Sequence, residues 1–166
     1  MITCPLNTAL SDRVPEIAKD LVEVVAVARH PGLRAKVAVR ARIPGINPVG
    51  ACVGWGGLRI TDIEKRLHGE RVSIVAHDND PATYVRNALG LTAATAEIIS
   101  TDQRRIRVFV DTDDYRLAVG KAGNNVQLAR QLTGWYIEIY TTNRGPDPAP
   151  ARRPTERLAL THGTGS

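Results

Sequence analysis

The chain repeats itself, and no other feature of the sequence narrows the possible folds as far. Val53-Gly54-Trp55-Gly56-Gly57 aligns with Val119-Gly120-Lys121-Ala122-Gly123 at a displacement of 66 residues, and the flanking text falls into step. Each copy must then be a unit of similar plan. After each glycine segment comes a helical stretch. Residues 58–67 set Ile60, Ile63 and Leu67 on one face, and residues 124–132 do the same with Val126, Ala129 and Leu132. Gly69 and Gly134 suit the helix ends. Strand-like runs rich in β-branched or aromatic residues follow, at 71–76 and 135–141.

A hairpin is expected before each glycine segment. In the first copy, residues 22–29 and 36–43 flank His30-Pro31-Gly32-Leu33; in the second, residues 96–100 and 105–111 flank Thr101-Asp102-Gln103-Arg104. Alternation puts Val37, Val39, Ala41 and Ile43 on one face and Lys36, Arg40 and Arg42 on the other; Ile106, Val108 and Val110 likewise oppose Arg105 and Arg107. A helix opens each unit. The second is the better marked, with Asp80 as cap, Pro81 in the first turn, Tyr84, Val85, Ala88 and Leu89 as apolar side, and Gly90 as stop. For the first, residues 15–21 are the candidate. The order helix, strand, strand, helix, loop, helix, strand thus occurs twice, over residues 11–77 and 78–141, and predicts an α+β protein with two three-stranded sheets packed by helices. Units this small are expected to support each other through a shared interface. Residues 1–10 read as a flexible start, and residues 142–166, rich in Pro, Gly and Thr, as a disordered tail.

Composition removes several alternatives. No apolar run approaches the ~18–20 residues of a membrane helix and no leader pattern is visible, so the chain reads as soluble and cytoplasmic. Cys4 and Cys52 stand apart, without the spacing of a zinc site or the density of a disulfide scaffold. His30, His68, His77 and His162 are scattered and form no metal motif. Seven aromatic residues, Trp55, Trp135, Tyr84, Tyr115, Tyr136, Tyr140 and Phe109, are too few for a sheet that reads RNA by stacking bases on adjacent strands. The net charge of +5 suggests mild affinity for polyanions, and +2 of it belongs to the tail, where Arg144, Arg152, Arg153 and Arg157 face Asp147 and Glu156.

The glycine segments point to a chemistry. Without Cβ atoms, a GxxG turn between two helices lets a nucleic-acid backbone approach the main chain, and the following helix offers unpaired N–H groups and a positive dipole end to phosphate. One GxxG is weak evidence, because a tight helix-to-helix turn explains it equally; two in matching frames are far stronger. Gly54-Trp55-Gly56-Gly57 lacks the full GxGxxG fingerprint and follows a helical run, which excludes a dinucleotide site. No GxxxxGK followed by Ser or Thr occurs. Asp111, Asp113 and Asp114 read as helix-capping and solvated carboxylates. No acid, base, nucleophile and metal set can be assembled, so neither an enzyme nor a cofactor is expected.

Longer strings carry a family resemblance. Val14-Pro15-Glu16-Ile17, the segment Ala28-Arg29-His30-Pro31-Gly32-Leu33-Arg34-Ala35-Lys36-Val37-Ala38-Val39, and Pro48-Val49-Gly50-Ala51-Cys52-Val53-Gly54 are similar to the tandem KH domains of the bacterial NusA family of transcription factors. So are Asp80-Pro81-Ala82, Leu117-Ala118-Val119-Gly120-Lys121-Ala122-Gly123-Asn124-Asn125-Val126, and Leu128-Ala129-Arg130-Gln131-Leu132-Thr133-Gly134-Trp135. The resemblance implies two prokaryotic-type (type II) KH folds packed rigidly into one extended surface for single-stranded RNA, acting in transcription elongation, termination or antitermination. Carried over residue by residue, it implies RNA contacts at Gly54, Trp55, Gly56, Gly57 and Arg59 in the first unit. In the second it implies Gly120, Lys121, Ala122, Gly123, Asn125, Gln127 and Arg130. Arg40, Arg42, Arg105 and Arg107 are open to two readings, electrostatic support for RNA or a solvated sheet face.

The chain departs from the family pattern in two places. The first loop has Trp55 and Gly56 where a basic residue is usual, so phosphate attraction should be weaker there, and Trp55 is read as stacking on a base or ribose or as capping an apolar interface. Lys121 keeps the second loop basic, which should make the second unit dominant. Full-length members of the family carry a polymerase-binding domain and a small barrel domain before the KH pair, whereas the match here begins near residue 11; a short relative or a piece of a longer protein is expected. The alternative reading is a KH-fold module that docks on RNA polymerase or another transcription factor with little RNA affinity of its own.

Overall fold

The computed structural model describes residues 5–142. The chain divides into two compact units between Asn79 and Asp80.

In the first unit, α1 (Pro5–Arg13) and the single-turn α2 (Pro15–Ala18) precede a β1 (Val22–His30) and β2 (Arg34–Ala41) hairpin. The chain continues through α3 (Pro48–Val53), the first glycine turn, α4 (Leu58–Arg66) and β3 (Arg71–Ala76). The expectation of a flexible start is corrected for residues 5–10. Leu6, Ala9 and Leu10 fall at helical spacing, are buried, and join Val14, Cys52, Ile63 and Leu67 in the core. Arg13 pairs with Asp62 at 3.5 Å and Arg66 with Asp12 at 2.8 Å, which ties α1 along α4. The helix expected over 15–21 shrinks to one turn, because α1 is the longer opening element.

Strand order is β1-β2-β3, with β1 antiparallel and β3 parallel to β2. β2 ends at Ala41 rather than at Ile43, because β1 begins at Val22 opposite Ala41; beyond that pair the Arg42 amide still bonds the Leu21 carbonyl at 2.9 Å. The helices cover one sheet face, where Val22, Ala35, Val37, Val39 and Val72 are buried. The alternation expected for β2 is corrected: burial runs unbroken from Ala35 to Val39, so Lys36, expected among solvated positions, is buried on the opposite face with Ala38, and Ile43, expected on the apolar face, is exposed beyond the strand. Glu70 braces the unit from the start of β3. It accepts Arg29 Nε at 2.7 Å, Arg29 Nη2 at 3.0 Å and the Gly32 amide at 2.8 Å, joining the hairpin turn to the third strand. Burial alone would raise its pKa, but these donors outweigh it and hold the carboxyl below its ordinary value.

The second unit runs α5 (Pro81–Leu89), β4 (Thr95–Ser100), β5 (Arg105–Val110), α6 (Thr112–Val119), the second glycine turn, α7 (Asn124–Thr133) and β6 (Tyr136–Thr141). Asp80 caps α5 by accepting from the Thr83 amide, Pro81 sits in its first turn, and Gly90 ends it at φ 79°. The strand order β4-β5-β6 and the antiparallel-then-parallel pattern copy the first unit. β6 starts one residue later than expected, because Gly134 turns at φ 74° and the Trp135 amide is still bonded to the Thr133 hydroxyl. Val85, Ala88, Leu89, Ile106, Val108, Val126, Ala129, Leu132, Ile137 and Ile139 are buried. Each unit is therefore a three-stranded sheet packed on one face by helices. Among the described residues, no helix is long and apolar enough to cross a membrane. The expected tail beyond Thr142, and Cys4, lie outside the described residues.

Candidate nucleic-acid interface

The two glycine turns have the same backbone. Gly54 and Gly120 adopt φ/ψ of 78°/167° and 79°/167°; Gly56 and Ala122 adopt 59°/18° and 55°/24°; Gly57 and Gly123 adopt 76°/14° and 76°/11°. Each turn is closed by its last glycine amide bonding to the carbonyl of its first, at 3.1 Å from Gly57 to Gly54 and 3.0 Å from Gly123 to Gly120. The first glycine is obligatory. A Cβ on Gly54 would stand 2.7 Å from Arg59 Cγ, and one on Gly120 would stand 2.7 Å from both the Cβ and the backbone nitrogen of Asn125. Leu58 and Asn124 amides bond back to Trp55 and Lys121 carbonyls, after which the first-turn amides of α4 and α7 begin, with no intrahelical acceptors.

What differs is what the tips present. Trp55 is 90% exposed and Leu58 beside it is also exposed, whereas the second turn presents Lys121 and Ala122 to solvent. Gly56, Gly57, Gly120 and Gly123 form the turn backbone between these side chains and the helices, and Gln127 is half-buried one turn into α7.

Three of the expected contact residues make hydrogen bonds inside their own unit, although Arg130 Nε and Nη1 are buried without a hydrogen-bond partner among the described residues. Arg59 Nη1 donates to the Ala51 carbonyl at 2.7 Å and to Glu16 Oε2 at 2.8 Å. Asn125, at the equivalent position, donates from Nδ2 to the carbonyls of Leu117 at 3.1 Å, Ala118 at 3.0 Å and Leu89 at 3.1 Å, and is buried. Ala51 and Leu117 are themselves equivalent, so both residues clamp the helix before the turn to the helix after it. Arg130 donates to the Ile137 carbonyl with its guanidinium 4.9 Å from the Tyr136 ring centroid, and burial pulls its pKa down. The clamp was the feature that sequence reasoning missed. Its signal lay in the 66-residue alignment, which superposes Arg59 on Asn125 directly behind the obligatory glycines.

The sheet-face arginines have carboxylate partners. Arg40 lies 2.7 Å and Arg42 3.7 Å from Glu23 oxygens, while Glu138 takes both Arg105 and Arg107. Cys52, under the first turn, is buried, and that burial together with Glu16 pushes its thiol up to about 11. It is a packing residue rather than a nucleophile. Among the described residues, no three His, Cys, Asp or Glu side chains converge as a metal site would require.

Comparison with known proteins agrees with this geometry. Residues 6–77 match the model of the NusA-like first KH domain, and residues 81–145 match that of the NusA-like second KH domain. The transcription termination/antitermination protein NusA of Mycobacterium tuberculosis is 44% identical over 138 residues, covering 82% of this chain and 39% of the relative. The protein of the same name from Thermus thermophilus is 41% identical over 134 residues, covering 81% of this chain and 35% of the relative. The chain thus spans little more than a third of these relatives. The crystal structure of APE1850 shares the fold, with a TM-score of 0.58 at 21% identity over 84% of this chain and 99% of its own. A duplicated unit with superimposable glycine turns, each half matched by its own domain model, makes this chain a tandem KH-domain member of the NusA-like family.

Proposed function

We propose that the chain binds single-stranded RNA through its two glycine turns and acts, as its relatives' name describes, in transcription termination or antitermination, and in elongation. The observation that carries this reading is that both turns hold one backbone conformation ahead of a helix N-terminus while exposing different side chains at the tip. Turn and helix amides hold phosphates, Lys121 adds charge in the second turn, and Trp55 offers a ring in the first. Arg59 and Asn125 serve by fixing the turns, and Gln127 lines the approach to the second. The role is binding, without a catalytic step or cofactor. Its setting is the cytoplasm, with nascent RNA and the polymerase elongation complex as partners.

The test is titration of labelled single-stranded RNA with the parent and with a Lys121→Asp/Ala122→Asp double variant. These inner positions face solvent, and Asp tolerates the positive φ of residue 122, so the fold is kept. Affinity should fall at least tenfold, and the salt dependence should flatten by ~0.7 log units for each phosphate no longer neutralised. Equal affinities would overturn the reading. The exposed Trp55 and Leu58 pair favours a second reading, docking of the first turn on a protein of the transcription machinery. Partner capture that survives nuclease treatment and disappears in Trp55→Ala would support it.

A further inference from the structure

Each three-stranded sheet leaves its two outer strands with one neighbour apiece, and β4 is the least covered of the four. Four of its six residues are exposed, against one each in β1 and β3 and none in β6. Ile98 is 41% and Ile99 37% exposed. The register slips between Ile98 and Ser100, so Ile99 stands outside the pairing with β5. The outward N–H and C=O groups of such a strand are a template for another strand, and exposed isoleucines offer it apolar contact.

Charge decides which strand. Glu97 in the middle of β4 and Asp102 in the turn after it are exposed, and their side chains have no ion pair or hydrogen bond among the described residues. Arg107 stands opposite Glu97 in register, yet its guanidinium lies 4.7 Å from the Tyr140 ring centroid and its Nε 3.6 Å from Glu138. At the start of β4, a cleft of about 210 Å³ bordered by Thr95 has apolar walls at Leu91, Ala94 and Phe109 and carries Asp111 and Asp114. The dipole of α6 offsets part of the charge on these two aspartates; Glu97 and Asp102 have no such offset. Carboxylates thus mark the start, the middle and the end of β4. On the outer strand β1 of the first unit, Glu23 is already taken, 2.7 Å from Arg40 and 3.7 Å from Arg42.

We infer that the free edge of β4 docks an extended segment of a partner protein in which basic and apolar residues alternate. The alternation follows from the register: Ile98 opposes Ile106 on the helix-covered face, and Glu97 opposes Arg107 on the other. A strand laid alongside meets apolar surface on one face and a carboxylate on the second, while its main chain extends the sheet. A basic side chain seated in the cleft would rest its stem on the apolar walls and bring its charge to Asp111 and Asp114. The same carboxylates turn away two other candidates, since a second copy of this chain would bring like charges to the edge and RNA would bring phosphates. The inference is independent of the RNA-binding reading, because β4 and the glycine turns share no residue.

The test uses the full chain and a labelled six-residue peptide of alternating Val and Lys. Its controls are the Val and Glu counterpart, the Val and Lys peptide N-methylated at alternate residues, and labelled single-stranded RNA. Hydrogen exchange should show the β4 amides gaining protection with the unmodified Val and Lys peptide alone. Fluorescence anisotropy at low salt should rank that peptide at least about tenfold above both peptide controls, one of which carries like charge while the other lacks donors for the ladder. Glu97→Lys/Asp102→Lys should weaken it by about tenfold and Glu97→Gln/Asp102→Asn by about threefold; both positions are exposed, so the fold is kept. The Lys121→Asp/Ala122→Asp protein should bind the peptide like the parent, so a failure of the RNA reading leaves this inference standing. Absence of peptide binding, equal affinity for the N-methylated peptide, or equal affinity in the charge-reversed protein would overturn it. Protection of β4 by RNA, or a concentration-dependent dimer that Glu97→Lys/Asp102→Lys abolishes, would refute the choice of partner.

Discussion

Replacing Asn125 by Ala separates a contact with RNA from a role in building the turn. The Asn125 amide offers two N–H groups to three carbonyls, at 3.0 to 3.1 Å, on Leu117, Ala118 and Leu89. The residue is 6% exposed, so water cannot replace it readily. Truncation removes two donors and leaves at least two buried carbonyls unsatisfied. At ~1–3 kcal/mol for each of two unsatisfied groups, the second unit should lose ~2–6 kcal/mol. That is a large share of the ~5–15 kcal/mol typical of a domain, and at ~4–8 °C per kcal/mol for a unit of this size it corresponds to a midpoint fall of at least about 10 °C. Asn125→Asp should be worse at neutral pH, because it sets a carboxylate against the same oxygens. The assay is urea unfolding in a Trp55→Phe background, where Trp135 alone reports the second unit. RNA titration under conditions that keep the variant folded should then give affinity within about threefold of the parent, well under the worth of one charge-assisted hydrogen bond. A variant whose stability lies within ~0.5 kcal/mol of the parent but whose RNA affinity falls tenfold would refute the reasoning and return Asn125 to the RNA.

Three further outcomes follow from the same geometry. Gly120→Ala should cost ~3 kcal/mol or more in urea unfolding, from a backbone region nearly closed to other residues plus collision with Asn125, whereas Gly56→Ala should cost about 1 kcal/mol, because nothing lies within 4 Å of its Cβ and Ala122 already holds that conformation. Glu70→Gln should cost ~2–4 kcal/mol, discounted because the Arg29 side chain is 23% exposed. Glu70 has a folded pKa below 4.5, so its contribution is fully present above that value and is lost as pH falls through the folded value; acid-unfolding curves of Glu70→Gln should lack that component. Trp55→Ala should leave stability within ~0.5 kcal/mol, since the ring is 90% exposed, yet weaken RNA by ~1–3 kcal/mol if a base stacks there, with an unchanged salt slope; an unchanged affinity would remove Trp55 from the RNA path.

The fold was legible wherever backbone demands leave a mark in residue type. Gly54, Gly57, Gly120, Gly123 and Gly134 stand at positive φ, Asp80 and Pro81 start a helix, and alternating valines and isoleucines mark central strands; these residues located most elements to within two positions. α1 left almost no mark. Its sequence PLNTALSDR has only Leu6, Ala9 and Leu10 to bury, and it is a helix because α4 offers a surface and partners at Asp62 and Arg66. Side-chain roles at the site were less legible for a related reason. Arg59 and Asn125 are polar residues beside a glycine turn, a position that suits a ligand contact and a clamp equally; the acceptors that decide between them, Ala51, Leu117, Ala118 and Leu89, are main-chain carbonyls and carry no sequence signal.

The repeat therefore constrains backbone more tightly than it constrains charge. Ala122 holds the φ/ψ of Gly56 to within a few degrees, so that glycine is dispensable to the turn, while Gly54 and Gly120 are fixed by the helix that follows. On this common frame the side chains diverge, among other places, at Trp55 against Lys121 at the turn tip, Arg59 against Asn125 behind it, and Ser73 against Glu138 on the sheet. In the first unit the tip lacks a cation, whereas the second carries Lys121 there. An RNA strand would meet an indole ring at the first tip and an exposed cation at the second, while Arg105 and Arg107 share the one carboxylate of Glu138. Salt dependence should thus divide unequally between the two turns: removing charge at Lys121 flattens it, whereas removing Trp55, or Arg107 with its partner Glu138, leaves it unchanged.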